Sequence, residues 1–222
     1  MKEYILNNYP RIKGKIIFVI PHGIDAKLFS PSNKEEFRDK NVVLFVGRLL
    51  ALKNVHLIVK AAPFILKEHP RTLFMFIGPG NDHPYIEEFK KLRIQGENYL
   101  FLGHKKRESL VKYYNSADVY VLPSSRENFP FTLLESMACG VPPVVSKIGG
   151  LPEIVDNNIN GIIVNPGSVK DIASSVTYLL DNPDIREKMG KEARKTVEEK
   201  FSWHKTALRT ASAYKLMIDA NI

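Results

Sequence analysis

The run VYVLPSSRENFPFTLLESMACG, residues 119–140, reads as a strand, a loop, a helix and a stop. Val119 to Leu122 is a short apolar run ending at Pro123, Phe131 to Cys139 is helical in pattern, Gly140 suits the position just past a helix end, and Pro142 prevents continuation. Asn128 is expected to cap this helix and Pro130 to occupy its first turn, where a missing N–H is harmless. A helix starting just beyond a buried strand presents free amides and the positive end of its dipole, which together make an anion site.

The same unit recurs outward in both directions. Apolar runs bounded by turn residues lie at Ile16 to Ile20, Val42 to Val46, Leu73 to Ile77, Tyr99 to Leu102, Val119 to Leu122 and Pro143 to Ser146, and these are expected to be strands. Helical patterns fall between them at Val55 to Glu68, Tyr85 to Gln95, Glu108 to Asn115 and Phe131 to Cys139. From Ser168 onward the pattern is helical only, with helices expected at Val169 to Leu180, Asp184 to Lys200 and Trp203 to Ile218. Strand alternating with helix predicts an α/β fold: a doubly wound, Rossmann-like parallel sheet with helices on both faces and a helical carboxyl-terminal tail.

Composition narrows the class without choosing a function. The chain has 222 residues, 44% hydrophobic and 25% charged, which suits one globular core. Its net charge of +8 favours phosphate-bearing ligands, but the basic residues are scattered, as at Lys105, Lys106 and Arg107, and read as a solvated face. No aromatic residues interleave with them, so nucleic acid is not an expected partner. Cys139 is the single cysteine and is read as core packing, which excludes an internal disulfide and favours a reducing, cytoplasmic setting. The six histidines lack metal-ligand spacing, and no metal or cofactor is expected.

In such a sheet ligands bind beyond the carboxyl ends of the strands, so the loops there carry the candidate residues. After Val46, Gly47 permits a sharp turn, Arg48 can fork onto phosphate oxygens and Lys53 can add a mobile charge. After Ile77, Gly78 and Gly80 permit either close approach to a ligand or an ordinary turn. Gly149 and Gly150 after Ser146 read in the same way, and His104 borders a possible base site by position alone. Glu135 stands five residues beyond Pro130, about 7 to 8 Å along the helix axis, too far to touch an anion bound at the start. It could accept hydrogen bonds from a ribose diol, and Glu127, in the loop, from sugar hydroxyls. Pairing of Glu135 with Arg48 and a glycosidase-like pair of carboxylates are the other readings of these acids.

Taken together these segments resemble the carboxyl-terminal, donor-binding domain of retaining GT-B nucleotide-sugar glycosyltransferases, the group with mannosyl- and glucosyltransferases, sucrose synthases and bacterial glycogen synthases. The marks are His22-Gly23-Ile24-Asp25, Gly47-Arg48-Leu49 with Lys53, Gly78 with Gly80, Phe101-Leu102-Gly103, Ala117-Asp118, Glu127 and Glu135 separated by seven residues, and Gly149-Gly150-Leu151-Pro152-Glu153. The resemblance implies that Arg48 and Lys53 bind the donor diphosphate, Glu127 the transferred sugar and Glu135 the ribose. It also implies a cradle of amides around Asn128, Phe129, Phe131, Thr132 and Leu133. The donor is then a UDP-sugar, GDP-mannose or a similar compound, and the reaction hexosyl transfer with retention.

Departures from the pattern are Asn128 and Pro130, where glycine is common, Asn54 after Lys53, and His22 in place of asparagine. Pro130 removes one amide donor near the sugar. The resemblance further implies an amino-terminal acceptor-binding domain that the sequence does not contain. Residues 1–14 are therefore expected to be a linker from that domain, 15–200 the nucleotide-sugar-binding domain and 201–222 a carboxyl-terminal helix. The missing domain or a partner chain, and peripheral contact of the full-length enzyme with a membrane, are the partners this implies. The rival readings are a nucleotide-binding subunit without activity of its own, and a GT-B-type epimerase or phosphorylase.

Overall fold

Apolar runs flanked by turn residues form strands buried on both faces when helices cover the sheet from either side. The computed structural model, which describes residues 6–9, 11, 16–34 and 36–219, has that architecture. The strands are β1 (Asn41–Val46), β2 (Thr72–Ile77), β3 (Tyr99–Phe101), β4 (Val119–Leu122), β5 (Pro143–Ser146) and β6 (Ile162–Val164). They form one 6-stranded sheet in the order β3-β2-β1-β4-β5-β6, with every pairing parallel. The helices are α1 (Val55–Glu68), α2 (His83–Lys91), α3 (Leu110–Ser116), α4 (Phe131–Ala138), α5 (Val169–Asp181), α6 (Pro183–Lys200) and α7 (Trp203–Asp219).

This order locates the functional crevice. From β1 the chain winds outward through β2 to β3, then returns to the middle and winds the other way through β4, β5 and β6. The loops leaving β1 and β4 thus diverge at the carboxyl edge, and the cleft between them is where ligands bind in such sheets. The core beneath is built from Val42 to Val46, Leu73 to Ile77 and Val119 to Leu122, all buried, with α1 contributing Val55, Ile58, Ala62 and Ile65.

Two expected elements differ. Ile16 to Ile20 forms no strand: Ile16, Phe18 and Val19 are exposed, and the following residues are drawn to the start of α7 instead of to a sheet edge. Ile24 donates its amide to Phe201 O at 2.9 Å and accepts from Trp203 N at 3.0 Å. The sixth strand is Ile162–Val164, which pairs with β5 and was too short to stand out in the sequence. The proposed linker at 1–14 lies largely outside the described residues, of which only 6–9 and 11 belong to it.

The tail is helical as expected. α5 packs on α1 and α6 on α4. Gly190 of α6 lies so close to Gly140 that an added Cβ would stand 2.0 Å from Gly140 O. Next to it Arg194 donates from one nitrogen to Ala138 O and Phe29 O, each at 2.6 Å, placing a cation on the carboxyl end of α4.

Candidate functional site

The loop after β1 crosses to the loop after β4. A single tight turn at Ala51–Lys53 ends at Asn54, held at φ 51°, and Lys53 reaches the loop after β4. Its ammonium is ion-paired with Glu127 Oε1, and Ser124 Oγ donates to the same oxygen at 2.9 Å. The backbones are stitched alongside, Ser125 N to Leu52 O at 2.9 Å and Asn54 Nδ2 to Pro123 O at 3.2 Å. Two of the residues singled out in the sequence, Lys53 and Glu127, are therefore in contact across 74 positions of chain. Arg48 is exposed at the same edge with no ion pair among the described residues.

The start of α4 opens into this cleft. Its cap is Pro130, in extended conformation at φ −76° and ψ 119°, and no side chain caps the helix. Asn128 is thus not the cap, and Pro130 stands one place before the first turn. The reason is geometric: Pro130 already supplies the extended residue and the first accepting carbonyl, leaving the Asn128 side chain exposed. Phe131, Thr132 and Leu133 are the first three helical residues, whose amides have no acceptor within the helix. Thr132 is fixed by its hydroxyl, 2.9 Å from Tyr120 OH, and Phe129 rests edge-on against Phe201 with ring centres 5.6 Å apart.

One turn into α4, Glu135 is buried and both its oxygens are engaged. Arg107 Nε donates to Oε1 at 2.9 Å and Tyr114 OH to Oε2 at 3.0 Å. The cation on Glu135 is therefore Arg107 and not Arg48. Burial pushes the Glu135 carboxyl above the usual range, while the bonds from Arg107 and Tyr114 pull it back. The sequence alone places Arg107 among the solvated cations, and nothing local marks it, because its partner is 28 residues away. Tyr114, Tyr120 and Ser124 are likewise contributions that only the folded arrangement reveals.

The glycines let neighbouring loops of the chain pack closely on one another. A Cβ on Gly78 would lie 1.9 Å from Gly47 O, and one on Gly80 2.6 Å from Leu49 Cβ. A Cβ on Gly149 would lie 1.9 Å from Glu127 O, and one on Gly150 2.1 Å from Asn128 O. In each case the space is filled by a neighbouring loop of the chain, so that the β2 loop is locked on the β1 loop and the β5 loop on the β4 loop. His104 is exposed in the irregular segment after Gly103. Cys139 is buried, and its thiol is pushed up to about 12 by that burial, which leaves it an inert packing group.

A family model described as Glycosyl transferases group 1 matches residues 28–196. The chain belongs to this family. It is 37% identical over 230 residues to an uncharacterized glycosyltransferase of Methanocaldococcus jannaschii, a match covering 99% of this chain and 58% of that protein. It is 34% identical over 199 residues to the glycogen synthase of Mycobacterium tuberculosis, covering 89% of this chain and 48% of the synthase. Among solved structures, sucrose-phosphate synthase from Thermosynechococcus elongatus superposes with a TM-score of 0.86 at 28% identity, over 99% of this chain and 57% of the synthase. An Anabaena protein solved in complex with UDP superposes with a TM-score of 0.80 at 21% identity, a likeness of fold, over 89% of this chain and 57% of that one. The chain thus spans about half of the length of these relatives.

Two marks of the glycosyltransferase pattern, Asp25 and Asp118, hold the scaffold together. Asp25 Oδ1 accepts from the amides of Lys27 and Leu28, both at 3.0 Å. Asp118 accepts from Val42 N at 2.8 Å and Lys34 Nζ at 2.7 Å, which aligns the start of β4 with β1. Among the described residues no group of three His, Cys, Asp or Glu could hold a metal ion, and no helix is long and apolar enough to cross a membrane.

Proposed function

We propose that this chain is the donor-binding part of a glycosyltransferase that moves a hexose from a nucleoside diphosphate sugar to an acceptor with retention of configuration. The observation that carries the reading is the meeting of Lys53 and Glu127 at the divergence of β1 and β4, beside the uncapped start of α4. A diphosphate at that helix start is met by Arg48, Lys53 and the amides of Phe131, Thr132 and Leu133, which stabilise the charge of the departing nucleotide without a metal. Glu127 then faces the hexose, and Glu135, deeper along α4, the ribose. The acceptor hydroxyl attacks on the face from which the diphosphate leaves and gives its proton to a phosphate oxygen. The relatives' greater length supports an acceptor site supplied by a preceding domain or a partner chain, so that these residues alone bind donor and transfer little.

The test is titration of the chain with UDP, GDP and ADP, for the wild type and for Arg48→Ala. One nucleotide is expected to bind, and Arg48→Ala to weaken it about tenfold or more while leaving the parent nucleoside unaffected. Absence of binding by all three would refute the donor reading. An inverted product from the longer enzyme would refute retention alone.

A further inference from the structure

Glu135 is an unusual ligand for a sugar diol, because the protein already occupies both of its oxygens. A carboxylate offers about four acceptor positions, two on each oxygen. Arg107 Nε takes one on Oε1 and Tyr114 OH takes one on Oε2, at 2.9 and 3.0 Å. An acceptor position is left on each oxygen, the number that a vicinal diol with two O–H donors requires. The protein bonds fix the plane of the carboxylate and so decide where those two positions point.

Of the two holders, Tyr114 is wholly buried, whereas the Arg107 side chain is 40% exposed against 4% for that of Glu135. Arg107 stays in place because aromatic rings flank it. Its guanidinium carbon lies 5.2 Å from the centre of Phe29 and 6.0 Å from the centre of Trp203. Phe29 is buried edge-on against Tyr114, with centres 5.9 Å apart, so the two holders share one packing unit. Trp203 opens α7, and its amide is bonded to Ile24 O at 3.0 Å. The chain ends that meet at Ile24 and Trp203 are thereby joined to the carboxylate through Arg107.

We infer that Arg107 is a positioning residue for the donor's ribose: seated between Phe29 and Trp203, it orients Glu135 so that the two remaining acceptor positions receive the 2′- and 3′-hydroxyls. Burial alone disfavours the ionised carboxyl, and the Arg107 bond is the principal interaction opposing this, so its loss also removes an acceptor by favouring protonation. The inference rests on the reading of Glu135 as the ribose ligand, and the experiment separates the two.

The probes are whichever of UDP, GDP or ADP binds the chain, and the 2′,3′-dideoxy form of the same nucleotide. The wild type is expected to bind the ribonucleotide at least about tenfold more tightly than the dideoxy form, as two hydrogen bonds to a charged group predict. Arg107→Gln is expected to lose most of that ratio while its affinity for the dideoxy form stays within about threefold, which also reports that the variant is folded. Arg107→Lys, which keeps the cation, is expected to restore part of the ratio, and Trp203→Leu to lower it to a smaller extent. Should Arg107→Gln fail to fold, the ratios for the lysine and Trp203 variants carry the test. A wild type that does not discriminate between the two nucleotides overturns the Glu135 reading and the inference with it. A discriminating wild type whose ratio survives in the folded variants overturns the inference alone.

Discussion

The two candidate glutamates are both ion-paired but are positioned in different ways. Glu135 projects from a regular helix into a buried nest of Arg107, Tyr114 and, beyond them, Phe29. Glu127 belongs to a loop without regular structure, and its place depends on Lys53, Gly149 and Gly150 from other loops, with Ser124 of its own loop adding a bond to the side chain. A helix gives a side chain a fixed direction from its own hydrogen bonds. A loop must borrow that direction from its neighbours, and here the lender is a pair of glycines that admit the loop to within contact distance. The difference suits the two ends of the proposed donor. In the proposed complex ribose, common to every ribonucleotide, would meet a rigid acceptor, and the hexose, which must pass to another molecule, would meet a loop.

The largest expected effect comes from removing the glycine support. Gly149 has φ +50°, and an added Cβ would lie 1.9 Å from Glu127 O, a backbone atom that cannot yield without moving the loop. Gly149→Ala is therefore expected to lower stability by about 2–4 kcal/mol, measured by urea unfolding. Gly103→Ala is the control, since Gly103 has φ +63° but nothing within 4 Å, and only the strain of about 1–2 kcal/mol should appear. Equal losses in the two variants would mean that contact with Gly149 does not hold the Glu127 loop.

A middle-sized effect separates the carboxylates by ligand. Glu135→Gln is expected to weaken nucleoside diphosphate binding by about 10- to 100-fold, and Glu127→Gln to leave it nearly unchanged while removing the added affinity of the nucleotide sugar. Acidification offers a second readout. Because burial raises the Glu135 carboxyl above its ordinary 4.5, it takes up a proton at a higher pH than an exposed glutamate does, and wild-type nucleotide affinity should fall as pH is lowered through that range. Glu135→Gln should show a smaller fall, keeping only the part that comes from protonation of the nucleotide's terminal phosphate, whose second pKa is about 6. Calorimetric titrations at several pH values check both statements, and identical losses of nucleotide binding in the two variants would erase the division of labour.

How much of this was legible before folding follows from where each signal lies. Val42 to Val46, Leu73 to Ile77 and Val119 to Leu122 announce buried parallel strands because both faces are covered and their apolar runs are unbroken. Ile16 to Ile20 has the same composition but no ladder partner, since strand pairing is a property of neighbours and Ile24 is tied to Phe201 and Trp203. Ile162–Val164 leaves no clear sequence pattern for the converse reason: three residues acquire strand character from β5 beside them. At the site, Lys53 and Glu127 were visible as loop residues following strands. The Arg107 and Tyr114 bonds to Glu135 were not, because a contact spanning 28 or 21 positions leaves no local pattern. Glycines read as permissive, but a sequence does not say which loop packs against them.

The smallest expected effect concerns Pro130, where the sequence alone suggested a lost hydrogen bond near the sugar. At the cap position, with φ −76° and ψ 119°, its nitrogen precedes the three helical amides of Phe131, Thr132 and Leu133, which have no acceptor within the helix and in the proposed complex meet the diphosphate. The missing donor is thus outside the set that the dipole directs at the diphosphate, and the fixed ring already matches the backbone angle the cap requires. Pro130→Ala should change nucleotide affinity by less than about threefold and lower stability only by the modest entropy gained in the unfolded chain, about 0.4–1 kcal/mol. A tenfold gain in affinity on restoring the N–H would show instead that the cap amide reaches the donor, and the anion site would then extend from the helix back into the loop that carries Glu127.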